Sequence, residues 1–195
     1  HISDSAILKI FQDKWETYKF FQQNDIPTPM TSLDNVYPVT KPRFGRGSVG
    51  VEYNNAGRQM HGLISQEFCE GQEFTVDVFL MNNEPVYIIP RKRLRVVNGK
   101  STISEVFKSA EIEEIVRTIC RKCQFSSAIN LQGFITASDI KLIEINPRFG
   151  GGTALGFAAS ENWLSLLVNG VSENWSPKPI TYGKKMTRFY DDFFN

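Results

Sequence analysis

Apolar residues at Ile7, Leu8, Phe11, Trp15 and Tyr18 recur at the spacing of one helix face, and Asp4 or Ser5 stands where a cap belongs. Asp13 is placed to start a second helical segment reaching about Asn24. Ile26-Pro27-Thr28-Pro29 ends it, because a residue before proline is pushed out of the α region. The period then shortens to two. Residues 36–42, 63–68, 74–80, 86–90 and 91–97 read as strands, separated by a polar loop over 54–62 and by turns at Glu70-Gly71-Gln72-Glu73 and Asn82-Asn83-Glu84-Pro85. Ile112, Ile115, Val116, Ile119, Cys120 and Cys123 predict an amphipathic helix over 111–123. Residues 129–137 and 140–146 predict a hairpin about Ser138-Asp139, which brings Gln132 near Glu144. Two short helices, over 154–159 and 163–168, and a last strand within 184–194 complete the pattern.

Composition narrows the class without naming a function. The chain has 195 residues, 41% hydrophobic and 22% charged, which is the globular range. A chain of this size buries about 70% of its unfolded surface and needs no covalent staples. A net charge of +1 argues neither for nor against nucleic acid, although the basic residues are clustered. Cys120 and Cys123 lie one helical turn apart, but a zinc site needs two more ligands and the histidines are His1 and His61. They read as buried thiols. No apolar run is long enough to span a bilayer and no signal peptide is visible, so a cytoplasmic protein is expected. Asn174-Trp175-Ser176 matches a glycosylation sequon, a short pattern common by chance. His1 reads as an internal position or a tag remnant, since no initiator methionine precedes it.

Candidate chemistry gathers in three stretches. Arg43-Phe44-Gly45-Arg46-Gly47-Ser48-Val49-Gly50 holds three glycines and two arginines in eight residues. Such a loop lets backbone N–H groups approach a ligand, or it is an ordinary hairpin with solvated arginines. No long helix follows it, so a dinucleotide-binding turn does not fit. Arg91, Arg93 and Arg95 alternate and are expected on one strand face, serving either a ligand or edge protection. Gly99-Lys100-Ser101 resembles the end of a phosphate-binding P-loop, but Leu94 stands where its first glycine is required. Finally, Glu144, Asn146 and, if extension persists past Pro147, Arg148 project from one face, with Ile143 and Ile145 toward the core. Oxygen donors beside a cation suit a phosphate–Mg²⁺ complex, or they mark a solvated strand end.

Taken in order, Asp13-Lys14, Lys41-Pro42-Arg43-Phe44-Gly45-Arg46-Gly47-Ser48, Gln66-Glu67-Phe68 with Gly71 and Glu73, and Glu144-Ile145-Asn146-Pro147-Arg148 form a pattern. It resembles an ATP-grasp domain of the type found in the carbamoyl-phosphate synthase large subunit, over about residues 11–189. The resemblance implies an α+β fold in which two α+β subdomains with antiparallel sheets grip ATP. Residues 1–66 would form a linker helix plus the small subdomain, and 67–195 the large one with the metal and substrate site. It implies ATP phosphates held by Lys14 and Lys41 and covered by the loop with Arg46, Gly47 and Ser48. Glu67 and Phe68 would meet the adenine edge, Glu73 the ribose. Glu144, Asn146 and Gln132 would ligate Mg²⁺ or Mn²⁺, and Arg148 would contact an acyl-phosphate. Arg91 and Arg93 would make further phosphate or substrate contacts.

The implied activity is an ATP-dependent ligase that activates a carboxylate or bicarbonate as an acyl-phosphate for attack by an amine, ammonia or thiol. Its partners would be those small molecules, with no nucleic acid and no membrane, and with room for a homodimer. No Ser-His or Cys-His nucleophile competes with this reading. The chain departs from the family in three respects. The preceding α/β domain of the same chain is expected to be missing from this segment, 54–62 is short, and Gln132 stands where many relatives have an acidic residue. An alternative is a nucleotide-binding regulatory module without turnover. A third reading, a basic surface for nucleic acid built on Arg43, Arg46, Arg91 and Arg93, lacks interleaved aromatics.

Overall fold

The computed structural model of the chain describes residues 3–45, 47–54 and 57–189. Helices α1 (Ser5–Gln12) and α2 (Lys14–Gln23) meet at Asp13, whose extended backbone breaks the helix and whose carboxylate caps α2 by accepting from the Trp15 N–H at 2.9 Å. The same carboxylate pairs with Arg43. Four strands, β1 (Thr31–Ser32), β2 (Val39–Pro42), β3 (Glu52–Tyr53) and β4 (Leu63–Gln66), form a small antiparallel sheet in the order β1-β4-β2-β3. The expected strand over 63–68 stops at Gln66, and Glu67 to Gly71 lie outside both sheets.

The larger sheet contains β5 (Gln72–Met81), β6 (Glu84–Val97), β7 (Lys100–Val106), β8 (Ala128–Ile135), β9 (Ile140–Asn146) and β10 (Lys185–Thr187), all antiparallel, in the order β10-β7-β6-β5-β8-β9. Alternation divides its two faces. Phe74, Val76 and Val78 of β5 join Ile129 and Leu131 of β8 in a core covered by Ile112, Val116 and Ile119 of helix α3 (Ala110–Lys122). Phe11 and Phe21 enter the same core, so α1 and α2 pack on the large sheet. Cys120 is buried there, as expected of a thiol on the apolar face of α3. On the opposite face, Phe79 and Tyr87 stack against Trp163 at 5.5 and 5.7 Å, closing a second core beneath α4 (Thr153–Ala159) and α5 (Trp163–Asn169). The rest of that face is polar.

Three expectations are corrected. Residues 86–97 are one continuous strand rather than two, and Lys100 and Ser101 open the next strand, β7. Asn98 and Gly99, with φ of 50° and 70°, make the tight turn between β6 and β7, a conformation that favours Asn-Gly. Arg91, Arg93 and Arg95 do not share a face. Arg93 pairs with Ser104 and Arg95 with Ile103, so Leu94 is an extra residue and the alternation breaks there. Arg91 and Arg93 are buried in the centre of the sheet, while Arg95 is exposed. A second bulge lies in β9, where Gln132 pairs with Glu144 but Gly133 with Leu142. Ile143 is therefore turned out of the core, which Leu142 and Ile145 fill instead. Among the described residues, no helix is long and apolar enough to cross a membrane.

Candidate functional site

Strand register assembles the polar face. Arg91 of β6, Thr75 of β5, Gln132 of β8 and Glu144 of β9 are successive cross-strand partners, so four side chains from distant parts of the chain form one row. In the next row, Asp77 pairs with Asn130 and Asn130 with Asn146. Glu144 accepts from Asn146 Nδ2 at 2.5 Å, and Asn146 Oδ1 accepts from Arg148 Nη2 at 3.1 Å. The three expected strand-end residues are thus linked, although β9 ends at Asn146 and Arg148 lies beyond it.

Two ammonium groups, one buried and one half-buried, approach this carboxylate from the other side. Lys41, on β2, is only 8% exposed and donates to Gln66 Oε1 at 2.7 Å. Burial, reinforced by the charge of Lys14, pushes its pKa down to about 8, against the pull of Glu144. Lys14 opens α2 and donates to the Gly45 carbonyl at 3.0 Å. Burial lowers its pKa as well, and Glu144 again opposes the shift. Burial lowers both pKa values, and a bound anion would oppose that shift by favouring the ammonium forms.

The glycine-rich loop lies over these lysines. Gly45, Gly47 and Gly50 have φ of 130°, 70° and 73°. A Cβ on Gly99 would stand 2.6 Å from the Gly47 carbonyl oxygen, so the loop touches the β6–β7 turn across the mouth of the cleft. Arg46 lies outside the described residues.

The remaining expected residues have partners within the fold. The Glu67 N–H donates to the Met30 carbonyl at 2.8 Å. Its carboxylate accepts from Lys141 at 3.0 Å, a contact that holds its pKa below the ordinary range. Glu73 pairs with Arg93 at 2.5 Å; burial raises the Glu73 pKa and the Arg93 charge opposes it. Arg93 also donates to Gln132 Oε1 at 3.3 Å and to the Gly99 carbonyl at 2.7 Å, while its buried Nε has no partner. Arg91 Nε donates to Asp77 at 2.7 Å, and Asp77 also accepts from Asn130 at 2.7 Å and Thr153 at 3.0 Å. The triple glycine has a packing reason at two positions, and a Cβ on Gly150 would fall 2.4 Å from Asn130 Nδ2. A Cβ on Gly152 would fall 2.3 Å from Arg91 Cζ.

Sequence reasoning missed Asp77, Asn130 and Ile143. For Asp77 a signal was present, since Glu73, Thr75 and Asp77 are polar at alternate positions of an otherwise apolar strand. For Ile143 there was none, because the bulge that exposes it depends on pairing with Gln132 and Gly133.

A cavity of about 990 Å³ lies between the two sheets. Lys14, Lys41, Gly47, Ser48, Glu67, Phe68, Glu73, Arg91, Arg93, Gln132, Glu144 and Arg148 all line it. A second cavity of about 670 Å³ adjoins it. Asn146, Phe11 and Phe149 line this one, and Lys14, Ile143, Glu144 and Arg148 are common to both. Among the described residues no group of three or more His, Cys, Asp or Glu side chains is arranged to hold a metal. Glu144 is the carboxylate of the expected metal set and the amide oxygens of Gln132 and Asn146 are its neutral members. Oxygen donors of this kind suit hard Mg²⁺ shared with phosphates better than a closed all-protein site. The residues fit Mg·ATP in size, donor type and opposing charge.

A family model described as ATP-grasp in the biosynthetic pathway with Ter operon matches residues 59–188. No curated protein matches the chain. Among solved structures, an N5-carboxyaminoimidazole synthetase from Staphylococcus aureus complexed with ADP is similar at 17% identity and TM-score 0.76, covering 96% of this chain and 59% of that one. The biotin carboxylase domain of a Hydrogenobacter thermophilus 2-oxoglutarate carboxylase, in complex with MgADP, ADP and bicarbonate, is similar at 13% identity and TM-score 0.74, covering 94% and 51%. An L-amino acid ligase from Bacillus licheniformis is similar at 16% identity and TM-score 0.65, covering 86% and 49%. The chain thus spans between 49% and 59% of the length of these three structures.

Proposed function

We propose, from the premise that this chain belongs to the ATP-grasp family and has its fold, that the cleft between the two sheets binds Mg·ATP and serves an ATP-dependent carboxylate ligase. The observation that carries this reading is the cross-strand pair Gln132–Glu144, joined by Asn146 and facing the ammonium groups of half-buried Lys14 and buried Lys41. Bound Mg·ATP would supply a γ-phosphoryl group that a substrate carboxylate accepts, giving an acyl-phosphate open to attack by an amine, ammonia or thiol. Such a transfer needs positioning and charge neutralisation more than covalent help from the protein.

The chain's own residues divide that work. Lys14 and Lys41 hold the phosphates, with the backbone of Gly47 and Ser48 above them. Glu144 is the anionic metal ligand, with Asn146 and Gln132 as neutral donors, a set that favours one firmly held ion. Because the Glu67 N–H is committed to Met30, adenine pairing falls to the Glu67 carbonyl and to the backbone of Phe68. Glu73 reaches the ribose by exchanging part of its contact with Arg93. Arg148 faces the acyl-phosphate. Arg91, its charge matched by Asp77, offers N–H donors to a phosphate or substrate from behind the glycine turn. In this proposal 1–66 and 67–195 form the two gripping units, although α1 and α2 pack on the larger sheet.

The likeness to the carbamoyl-phosphate synthase large subunit remains our proposed subtype, supported by the glutamine at position 132. A cytoplasmic setting, where ATP is available, and small-molecule substrates go with the same proposal. So does a homodimer, as named for the biotin carboxylase domain.

Calorimetry tests the reading. Mg·ATP is expected to bind, and Glu144→Ala to weaken it by about tenfold or more through loss of one charged ligand. ADP release is expected with one member of a panel of carboxylates and amines. Absence of heat with Mg·ATP overturns the proposal; nucleotide binding without ADP release for any acid favours a regulatory module.

A further inference from the structure

Two guanidinium groups meet the glycine turn that follows β9. Arg148 donates from Nη1 to the Phe149 carbonyl at 3.0 Å. Arg188, the residue after β10, donates from Nη2 to the Gly151 carbonyl. Its backbone is fixed by an N–H bond to the Thr102 carbonyl at 2.8 Å, and its side chain is exposed. Both arginines line the large cleft, as do Gly151 and Gly152. The charge of Arg91, next to Gly152, is already matched by Asp77. Arg148 and Arg188 have no carboxylate partner among the described residues. A Cβ built on Gly151 meets nothing within 4 Å, so open space lies beside the turn that both arginines reach.

We propose that Arg188 is a substrate-binding residue that receives a second anionic group on the acid whose reacting carboxylate lies at Arg148; this rests on the ligase reading above. One guanidinium suffices for the reacting carboxylate and its acyl-phosphate. A second one on the same short turn presents another planar fork matched to carboxylate or phosphate oxygens. A substrate with a single negative charge would leave two like charges together with one of them unmet. The substrate class is therefore a carboxylic acid carrying either a further carboxylate or a phosphate ester.

The test measures acid binding to the intact protein by calorimetry, in the presence of Mg²⁺ and a non-hydrolysable ATP analogue. Pairs differ only in the second charge: succinate against succinamate, glutarate against glutaramate, phosphoserine against serine. In at least one pair the charged member is expected to bind about tenfold tighter, the scale of one charge-assisted contact. The responding pair distinguishes carboxylate from phosphate. Arg188→Gln should erase that difference while leaving the neutral member, Mg·nucleotide affinity and the melting temperature unchanged, and Arg188→Lys should restore part of it. Equal binding within every pair, absence of binding by any acid, or an Arg188→Gln variant that weakens both members alike overturns the proposal. Failure of the ligase reading itself shows earlier and separately, as no heat from the nucleotide before any acid is added.

Discussion

At Lys41 the cost of burying a charge is turned toward a ligand. Its ammonium lies against Gln66 with Lys14 nearby, and its pKa falls to about 8. Below about pH 8 the free protein bears the cost of a buried cation. Because the folded pKa is depressed, the unfolded chain binds the proton more tightly, so this group makes stability rise with pH between about 8 and the ordinary lysine value. A triphosphate favours the protonated form and reverses the shift. Mg·ATP binding above pH 8 is therefore expected to take up a proton, with affinity falling as pH rises through that value. Calorimetry in buffers of different ionisation enthalpy measures the uptake. Lys41→Met should reduce it, leaving the part due to Lys14, and should weaken binding at pH 7 by about tenfold or more. The chemical type of this residue was legible in the Lys-Pro-Arg stretch; its burial was not, because that depends on Gln66 across the small sheet.

Among the elements, the β8–β9 pair does most to place the candidate chemistry. Its hairpin was readable from the alternation on both arms and from the polar turn at Ser138-Asp139. Its bulge was not, and the bulge decides which side chains enter the cleft. Gly133 lies at that irregularity. A Cβ there would stand 2.5 Å from the Lys141 carbonyl oxygen and 2.8 Å from Phe74 Cζ. Gly133→Ala is accordingly expected to destabilise the fold by about 1–3 kcal/mol, as overpacking does, measured by denaturant unfolding. It should also weaken Mg·ATP binding, because Gln132 and Glu144 shift together with the strand pair. A loss of stability with unchanged nucleotide affinity would separate the metal row from the bulge. The β6–β7 hairpin shows the same limit: Asn98-Gly99 carried a turn signal, but β7, whose sequence alternates weakly, emerged only through its pairing with β6.

For the whole molecule, the feature that matters is a cleft whose two walls come from separate sheets and whose lid, at Gly47, reaches the turn at Gly99. A ligand that touches both walls stabilises the folded chain by mass action. A hundredfold excess of Mg·ATP over its Kd should add about 2.7 kcal/mol and raise Tm by roughly 5–10 °C, read by a thermal melt. Glu144→Ala should lose about half of that increment or more while melting like the wild type without nucleotide, since Glu144 is half-buried and its side-chain partner is Asn146. The sequence by itself determined what is local: helix periods and caps, strand alternation, the glycine loop, and the order of motifs that marks an ATP-grasp domain. Tertiary structure alone decided which polar residues share a face, that Arg95 leaves the row while Asn130 and Ile143 join the cleft with Asp77 buried against Arg91, and that Arg188 after β10 reaches the glycine turn. The physical reason is that register, bulges and burial arise from pairings between strands far apart in sequence, and no local pattern encodes them.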